Sequence, residues 1–244
     1  MIAIQTMNLT KKFQDKAAVN SLNLSIEQGE LFALLGVNGA GKTTTIKMLT
    51  CLTSPTSGDA TLLGDSIVSN PYAIKERINV SPQETAVARN LSVKENLELI
   101  AQIYGFDKKA VDLKVEEMMT TFSLTEVSKD KAKTLSGGTQ RRLSIAMALI
   151  SNPQILFLDE PTLGLDVIAR RELWMAIEKL KGRITVILTT HYMEEAEALS
   201  DRIGIMAKGK LKAVGTATEL MAKTNTKTLE DAFVSLAAKK EAER

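Results

Sequence analysis

A short glycine-rich stretch constrains the fold of this chain more than any other feature. The residues Gly36-Val37-Asn38-Gly39-Ala40-Gly41-Lys42-Thr43 match the pattern G-x-x-x-x-G-K-[ST]. An apolar run of strand length, residues 31–35, comes before this stretch, and a helical pattern from about Lys42 to Leu49 follows it. This order of strand, glycine loop and helix predicts an α/β fold with a parallel sheet. A purely structural glycine turn is the alternative, but the context favours a phosphate-binding loop.

The chemistry expected of this loop follows from its residue types. Glycines let the backbone fold into a nest whose N–H groups point at phosphate oxygens near the start of the helix. The Lys42 ammonium can neutralise the β- and γ-phosphates of a nucleotide, and the Thr43 hydroxyl can coordinate Mg²⁺. The residues predicted to contact the nucleotide here are Gly36, Asn38, Gly39, Ala40, Gly41, Lys42, Thr43 and Thr44.

Two carboxylates follow a second apolar run. Residues 155–158 have the composition of a buried strand, and Asp159 and Glu160 come directly after them. Ligands of open parallel sheets bind at the carboxyl ends of the strands, where a nucleotide-bound metal would lie. Asp159 is therefore predicted to hold the metal, and Glu160 to orient and deprotonate the attacking water. A solvated turn is the alternative for such a pair, and the glycine loop makes the catalytic interpretation the favoured one.

A third stretch, Leu135-Ser136-Gly137-Gly138-Thr139-Gln140, precedes a helical pattern over residues 141–150. Ser136 is placed to cap this helix. Because a serine and two glycines at a helix N-terminus can also bind an anion, the stretch predicts a second anion site in the same chain. A plain serine cap without a ligand is the alternative.

Together, these three stretches resemble the motifs of ABC-type ATPases, the nucleotide-binding subunits of ABC transporters. The resemblance covers nearly the whole chain. It implies an α/β P-loop NTPase fold with a RecA-like parallel-sheet core, an N-terminal antiparallel β subdomain and an inserted α-helical subdomain. It also implies hydrolysis of ATP with Mg²⁺, and phosphate contacts from Ser136, Gly137 and Gly138 to the nucleotide.

Four further positions match the pattern of that family. Gln83 resembles the glutamine that joins the core to the helical subdomain, and it is assigned to the nucleotide and its metal. Asp166, which ends Pro161-Thr162-Leu163-Gly164-Leu165-Asp166, resembles the D-loop aspartate. His191 resembles the switch histidine that contacts the γ-phosphate. Phe13 resembles the aromatic residue that stacks on adenine, although a packed side chain on an edge strand is the alternative.

One position departs from the family pattern. The family most often has glutamine after the glycine pair, whereas Thr139 stands there in this chain and Gln140 follows. Since Ser136 and both glycines are kept, we expect an intact site with altered nucleotide affinity. The stretches at 193–196 and 228–233 resemble the drug and antibiotic exporter branch of the family.

The distribution of patterns along the chain predicts its organisation. Residues 1–222 are assigned to the ATPase domain, with the β subdomain at about 1–30, the ATP-binding core at 31–89 and 151–222, and the helical subdomain at 90–150. The remaining residues, 223–244, form a helical tail. Within that tail Leu229, Phe233 and Leu236 have the spacing of an amphipathic helix.

Composition excludes several classes of protein. The formal net charge is +2, so the chain lacks the large basic field that holds nucleic acid, and we expect no direct contact with nucleic acid. A single cysteine, Cys51, rules out an internal disulfide framework. The longest uncharged stretch, residues 143–158, is interrupted by polar residues and is too short to span a bilayer. No signal peptide is recognised at the start of the sequence.

These observations lead to a hypothesis with two alternatives. The chain is expected to be the ATPase subunit of a bacterial exporter, at the cytoplasmic face of the membrane, where it drives a separate integral membrane permease. As the family implies, two copies pair head to tail, so that ATP on the loop of one copy meets Ser136 of the other. The alternatives are an ATPase that regulates a membrane assembly or division complex, and a soluble ABC protein that acts on ribosomes or DNA.

Overall fold

In residues 1–238, the part of the chain that this computed structural model describes, two β-sheets are combined with a set of helices. The strands are β1 (Ile2–Phe13), β2 (Lys16–Glu27), β3 (Leu31–Leu35), β4 (Ser57–Leu62), β5 (Asp65–Ser66), β6 (Ile78–Ser81), β7 (Ile155–Asp159), β8 (Thr185–Thr190), β9 (Arg202–Ala207) and β10 (Lys210–Gly215). The helices are α1 (Lys42–Leu49), α2 (Pro71–Lys75), α3 (Val93–Ile103), α4 (Lys108–Thr121), α5 (Gly137–Leu149), α6 (Val167–Glu178), α7 (Met193–Leu199), α8 (Ala217–Thr224) and α9 (Leu229–Ala238). A single 3-10 turn spans Ala132–Thr134.

The smaller sheet is antiparallel and has the strand order β2-β1-β4-β5. Leu22, Leu24 and Ile26 of β2 are buried while the residues between them are exposed, so this strand buries one of its two faces. Residues 57–66 also belong to this sheet, because Ile4 of β1 pairs with Leu62 of β4. The antiparallel sheet therefore extends beyond the expected limit at about residue 30, since its long-range pairing leaves no local signal in the sequence.

The larger sheet places the ends of three strands at one edge. Its order is β10-β9-β3-β8-β7-β6, and all its strands run parallel except β10. Every residue of β3, β7 and β8 is buried, as expected for parallel strands that are covered on both faces. At the carboxyl ends Leu35 pairs with Thr190, and Asp159 pairs with Thr189. The loop after β3, the carboxylates at the end of β7 and the residue after β8 consequently meet at this edge.

The core consists of two apolar layers, one on each face of the larger sheet. Alternate residues of β3 face opposite layers: Leu31 and Leu35 pack in the layer that includes the helices of residues 93–150, and Phe32 packs in the layer shared with the antiparallel sheet. Phe32 and Phe157 are fully buried. Complete burial of such a side chain stabilises the fold by about 1.5–3 kcal/mol. The layer shared with the antiparallel sheet includes Ala40 of the loop and Ile46 of α1, so the loop and its following helix are packed into the core.

A group of three helices, α3, α4 and α5, lies in the sequence between the paired strands β6 and β7, where the helical subdomain was expected. Each helix begins at a side-chain cap. The Ser92 hydroxyl accepts from the N–H of Glu95, and the Asp107 carboxylate accepts from the N–H of Ala110. Such caps satisfy backbone donors that a helix leaves free at its start, and each stabilises the helix by about 1 kcal/mol.

The last helices pack back onto the larger sheet. In α9 the residues Leu229, Phe233 and Leu236 are buried, so the predicted amphipathic spacing is confirmed over residues 229–238. The expected continuation of this helix through residues 239–244 lies outside the described residues. Among the helices of residues 1–238, none combines the length and the apolar character needed to cross a bilayer.

Candidate active site

The loop between β3 and α1 requires glycine at two positions, 36 and 41. Gly41 has φ +105°, and a Cβ atom there would lie 2.4 Å from the backbone oxygen of Ala18. A Cβ atom on Gly36 would lie 2.6 Å from the backbone oxygen of Met206. Both distances are far below a carbon–oxygen van der Waals contact. The two glycines therefore allow the loop to pack tightly against β2 and β9 as it turns into α1.

Lys42 is the buried cation of the site. Its Nζ donates to the backbone oxygen of Gly36 at 2.7 Å and lies 3.3 Å from Oε1 of Glu160. A charge removed from water needs such partners, because isolated burial is strongly unfavourable. The ammonium group is thereby held beneath the loop, in the position where the phosphates of a nucleotide on this loop would be neutralised.

Asp159 lies at the centre of a small group of side-chain oxygen atoms. Its Oδ1 accepts from the Thr43 hydroxyl at 3.2 Å and from the Thr189 hydroxyl at 2.5 Å. Mg²⁺ prefers a few carboxylate and hydroxyl oxygens from the protein and completes its octahedron with phosphate and water. Asp159 and Thr43 fit that preference. Within residues 1–238 no group of three or more acidic, histidine or cysteine side chains forms a metal site.

Glu160 has an unusual backbone conformation that is held by β8. Its φ of 47° is left-handed, which is uncommon for residues other than glycine. The Glu160 N–H donates both to the backbone oxygen of Thr189, at 3.1 Å, and to its hydroxyl, at 3.0 Å. The buried carboxylate lies between two nitrogen atoms, because Oε2 is 3.4 Å from Nδ1 of His191 while Oε1 faces Lys42. Glu160, His191 and Lys42 thus form one contiguous group.

A cleft of about 820 Å³ opens above these residues. This volume lies within the range of small-molecule and cofactor sites. Of the residues predicted from the sequence, those that line the cleft are Phe13, Asn38, Gly39, Ala40, Gly41, Lys42, Thr43, Thr44, Gln83, Glu160 and His191. The lining also includes Lys16, Leu163 and Lys208, which sequence reasoning did not find.

Phe13 lies at the rim of the cleft. Its side chain is 54% exposed, and the Lys11 ammonium lies 5.3 Å from the centre of the ring. A packed side chain on an edge strand, the alternative raised by the sequence, would be largely covered. The exposed ring instead offers a face on which a planar base could stack.

Six predicted residues do not line the cleft. Two of them, Gly36 and Asp159, lie at the start of the glycine loop and at the end of β7, and the other four lie at the starts of α5 and α6. Ser136 and Gly137 are exposed, and the Ser136 hydroxyl accepts from the N–H of Thr139 as the cap of α5. Gly138 is buried, and a Cβ atom there would lie 2.8 Å from Cβ of Ala169 in α6. Asp166 is exposed and caps α6 by accepting from two backbone N–H groups at 2.9 Å. Within one chain these four residues serve as helix ends and helix contacts.

Arg141 is a buried residue that sequence reasoning missed. It is 3% exposed, and its guanidinium donates to the backbone oxygens of Asp159, Pro161, Pro82 and Gln83. Burial lowers the pKa of Arg141 to about 10, so it remains charged near neutral pH. The adjacent Arg142 lies nearer the surface in an ion pair with Glu172. The sequence alone does not indicate which of the two side chains, Arg141 or Arg142, is buried.

A second buried group lies behind His191. Glu195 is fully buried, and its Oε1 accepts from Nε1 of Trp174 at 3.2 Å. Burial raises the pKa of the Glu195 carboxyl, although the Thr190 and Thr162 hydroxyls, the Trp174 indole and Arg141 favour its charged form. In the described part of the chain, Oε2 of Glu195 and the hydroxyl of Thr162 are buried without a hydrogen-bond partner. Two orphaned polar atoms therefore lie side by side between the segment after Glu160 and helix α7.

A family model and individual known proteins that match this chain all point to the same family. The sequence model of the family described as "ABC transporter" matches residues 19–163. The "Probable multidrug ABC transporter ATP-binding protein YbhF" of Escherichia coli (strain K12) is 40% identical over 240 residues, which are 96% of this chain and 41% of that protein. The chain spans between 13% and 41% of the length of curated relatives that it matches.

Solved structures resemble the fold over nearly its whole length. "Structure of ATP binding subunit of ABC transporter" superposes with a TM-score of 0.85 and 25% identity, covering 96% of this chain and 99% of the other. "Dimeric structure of a post-hydrolysis state of the ATP-binding cassette MJ0796 bound to ADP and Pi" superposes with a TM-score of 0.78 and 26% identity, covering 87% and 98%. The predicted fold class is thereby confirmed. Since the family match covers more than half of the sequence, the chain belongs to the ABC transporter family as an ATP-binding and ATP-hydrolysing domain with the P-loop NTPase fold.

Proposed function

We propose that this chain hydrolyses ATP in a head-to-tail pair and drives export through a separate transmembrane subunit. The observation that carries the proposal is the separation of two predicted anion sites. The cleft gathers Lys42, Glu160 and His191, whereas Ser136 and Gly137 are exposed outside it. A second copy, related by a two-fold axis, can bring its Ser136 to the nucleotide of the first.

The cleft suits MgATP by size and by the order of its residues. Phe13 at the rim would stack on the base, and the loop N–H groups and Lys42 would hold the phosphates. Asp159, Thr43 and Gln83 would hold Mg²⁺; the hydrogen bond between Thr43 and Asp159 and the position of Gln83 in the cleft lining support this assignment. When bound, this ion would neutralise charge on the phosphate oxygens and so favour departure of ADP.

Glu160 would act as the general base. Its carboxylate takes a proton from water as the water oxygen bonds to the γ-phosphorus, and the bond between that phosphorus and the β–γ bridging oxygen breaks. ADP leaves with the bridging oxygen, and the proton stays on Glu160 until inorganic phosphate is released. His191, 3.4 Å from the same carboxylate, is placed to orient Glu160 and to contact the γ-phosphate. General base catalysis of this kind contributes about a hundred- to ten-thousandfold in rate.

The surface around Asp166 supports pairing. Val167 and Ile168, in the first turn of α6, are 57% and 73% exposed, and Leu163 is also exposed. Apolar side chains grouped beside exposed Ser136 and Gly137 are suited to an interface between copies. The γ-phosphate would contact both copies only when they are closed, so its loss would favour reopening.

The membrane partner and the direction of transport rest on likeness. YbhF is described as a multidrug transporter protein, and the chain matches 41% of it. We therefore infer export at the cytoplasmic face of the membrane, with specificity set by the permease. The near-neutral net charge of +2 supports a role without direct contact with nucleic acid.

The catalytic assignment is tested with Glu160→Gln. The variant should bind ATP, lose nearly all hydrolysis and elute as a dimer in size exclusion with ATP, because the amide cannot accept the proton of the water. Glu178→Gln, an exposed glutamate of α6, is the control and should keep the normal rate. An unchanged turnover rate in Glu160→Gln would exclude Glu160 as the base.

Pairing is tested with Ser136→Arg. The added side chain should block the contact between copies, so hydrolysis should stop while nucleotide binding stays normal. Thr125→Arg, an exposed residue elsewhere in the helical subdomain, should hydrolyse ATP normally. If Ser136→Arg loses ATP binding instead, Ser136 acts within its own chain and head-to-tail pairing is wrong.

The export assignment is tested in the native membrane. An integral membrane subunit should copurify with the chain, and MgATP should drive uptake of its substrate into inside-out vesicles. ATP-driven uptake only into right-side-out vesicles would reverse the assignment. Stable association with a division complex and no transport would favour the regulatory alternative.

A further inference from the structure

We propose that Arg141 is a positioning residue that fixes the catalytic orientation of Glu160 from the helical subdomain. The inference rests on the proposed role of Glu160 as general base. Nothing in the sequence separates Arg141 from the partly buried Arg142 beside it, so the structure alone supports this role.

Arg141 holds the backbone on both sides of Glu160. Its Nη2 donates to the backbone oxygen of Asp159 at 2.7 Å, and its Nε donates to that of Pro161 at 2.8 Å. These two carbonyls belong to the residues immediately before and after Glu160. The rigid guanidinium therefore holds the backbone carbonyls on the two sides of Glu160 in a fixed position relative to each other.

Glu160 needs this support because its backbone is strained. A φ of 47° in a residue other than glycine costs about 1–3 kcal/mol and persists only where surrounding contacts hold it. Thr189 of β8 holds the Glu160 N–H on one side. Arg141 supplies the contacts on the other side, so the conformation of Glu160 is fixed from both β8 and α5.

The same guanidinium also reaches the loop of Gln83. Its Nη1 donates to the backbone oxygen of Gln83 at 3.2 Å and to that of Pro82. Arg141 lies in the second turn of α5, the helix that Ser136 caps. A displacement of α5 or of the Gln83 loop would consequently change the position of the peptides around Glu160. Contact of Ser136 with a second copy and alignment of the base are thereby mechanically connected.

Only arginine can make this set of contacts. Its planar fork presents five N–H donors in fixed directions, whereas lysine presents one compact ammonium on a flexible stem. Arg141→Lys keeps the buried positive charge but loses the simultaneous contacts to Asp159, Pro161 and Gln83. The substitution therefore separates the effect of charge from the effect of geometry.

The test compares Arg141→Lys with Arg142→Lys in steady-state hydrolysis and in ATP binding. Misplacement of a catalytic group by about 1 Å can cost about a hundredfold, so we expect kcat of Arg141→Lys to fall by about ten- to hundredfold. Its Kd for ATP should stay unchanged. Arg142→Lys should keep the normal kcat, because lysine can still form the ion pair with Glu172. An unchanged kcat in Arg141→Lys, or a loss confined to ATP binding, would overturn the proposal.

A double-variant cycle shows whether the effect acts through Glu160. In the Glu160→Gln background, Arg141→Lys should cause no further loss of the residual hydrolysis. Multiplicative losses would show that Arg141 acts independently of Glu160 and would overturn the inference while leaving the base assignment intact. A normal rate in Glu160→Gln alone would instead refute the proposed function.

Thermal unfolding of each variant separates positioning from folding. Should Arg141→Lys fail to fold, Arg141→Met, which leaves no buried cation without its contacts, takes its place in the same assays. If both variants unfold under the assay conditions, the role of Arg141 is structural and the proposal is wrong.

Discussion

The fully buried carboxyl of Glu195 yields a prediction about stability and pH. We expect Glu195→Gln to raise the melting temperature at a pH above the raised pKa of the Glu195 carboxyl, where this group is charged. The glutamine has the same shape, and its amide oxygen can still accept from Nε1 of Trp174. Its amide nitrogen can donate to the Thr162 hydroxyl, which lies next to the carboxyl. The substitution therefore adds a donor where the native carboxylate has none.

The size of the effect follows from the two orphaned atoms. The Thr162 and Thr190 hydroxyls lie close enough to the Glu195 carboxyl to favour its charged form, but in the described residues Oε2 of Glu195 and Oγ1 of Thr162 make no hydrogen bond of good geometry. A buried polar atom without such a bond costs about 1–3 kcal/mol. Loss of the attraction between Glu195 and Arg141 opposes part of this gain. We expect a net increase of about 1 kcal/mol in the free energy of unfolding. For a chain of this size, that corresponds to a rise of about 2–4 °C in Tm.

The pH dependence has a definite sign. Burial raises the pKa of Glu195 above the value of about 4.3 in an unfolded chain. Between these two values the folded chain keeps a proton that the unfolded chain has released, so native stability falls as pH rises through this window. Glutamine has no such proton. The advantage of the variant should therefore be small near pH 4 and reach its full size above the raised pKa.

Thermal unfolding from pH 4 to pH 8, followed by circular dichroism, measures this difference. The matched control is Glu194→Gln, because Glu194 is the exposed neighbour in the same first turn of α7. Both variants lose one negative charge near a helix N-terminus, a change that costs about 0.3–1 kcal/mol. The prediction is wrong if Glu195→Gln is nowhere in this pH range more stable than Glu194→Gln, or if its advantage shrinks as pH rises.

Two further predictions concern the cleft. Gly41→Ala should destabilise the chain by about 2 kcal/mol or more and lose ATP binding, because the new Cβ would lie 2.4 Å from the Ala18 oxygen at a positive φ. Gly39→Ala, with a positive φ but open space, should cost only about 1 kcal/mol, and equal melting temperatures for the two variants would contradict the clash. Phe13→Ala should weaken ATP binding by about tenfold without lowering Tm, since stacking on a base contributes about 1–3 kcal/mol. Unchanged binding in a nucleotide titration would show that the exposed ring does not stack.

The sequence predicted the residues of the cleft because their positions follow from chain order and sheet geometry. A loop after β3 and carboxylates after β7 must meet when both strands are parallel members of one sheet. Strand β8 extends beyond its apolar residues to Thr189 and Thr190, since these β-branched residues continue the ladder. The identity of that edge was therefore predictable, and the exact ends of its strands were not.

Other features depend on neighbours that are distant in the sequence. Arg141 is buried by contacts with residues 18, 20 and 59 positions away, and Glu195 is bonded to Trp174 at a separation of 21. No periodic pattern encodes such contacts. Ser136 and Asp166 are a third case, because their role as helix caps within one chain accounts for all the contacts that they make. Their assignment to a second copy comes from the resemblance and stays a prediction.

The contact between Gly138 and Ala169 determines how closely α5 can approach α6. A Cβ atom at 138 would lie 2.8 Å from the Cβ of Ala169, so the space there holds one methyl group and not two. A methyl group at position 138 therefore fits only if the methyl group of Ala169 is removed or if the two helices move apart. A single methyl group thus acts as a spacer between the helical subdomain and the core, and its size sets the angle at which Ser136 is presented.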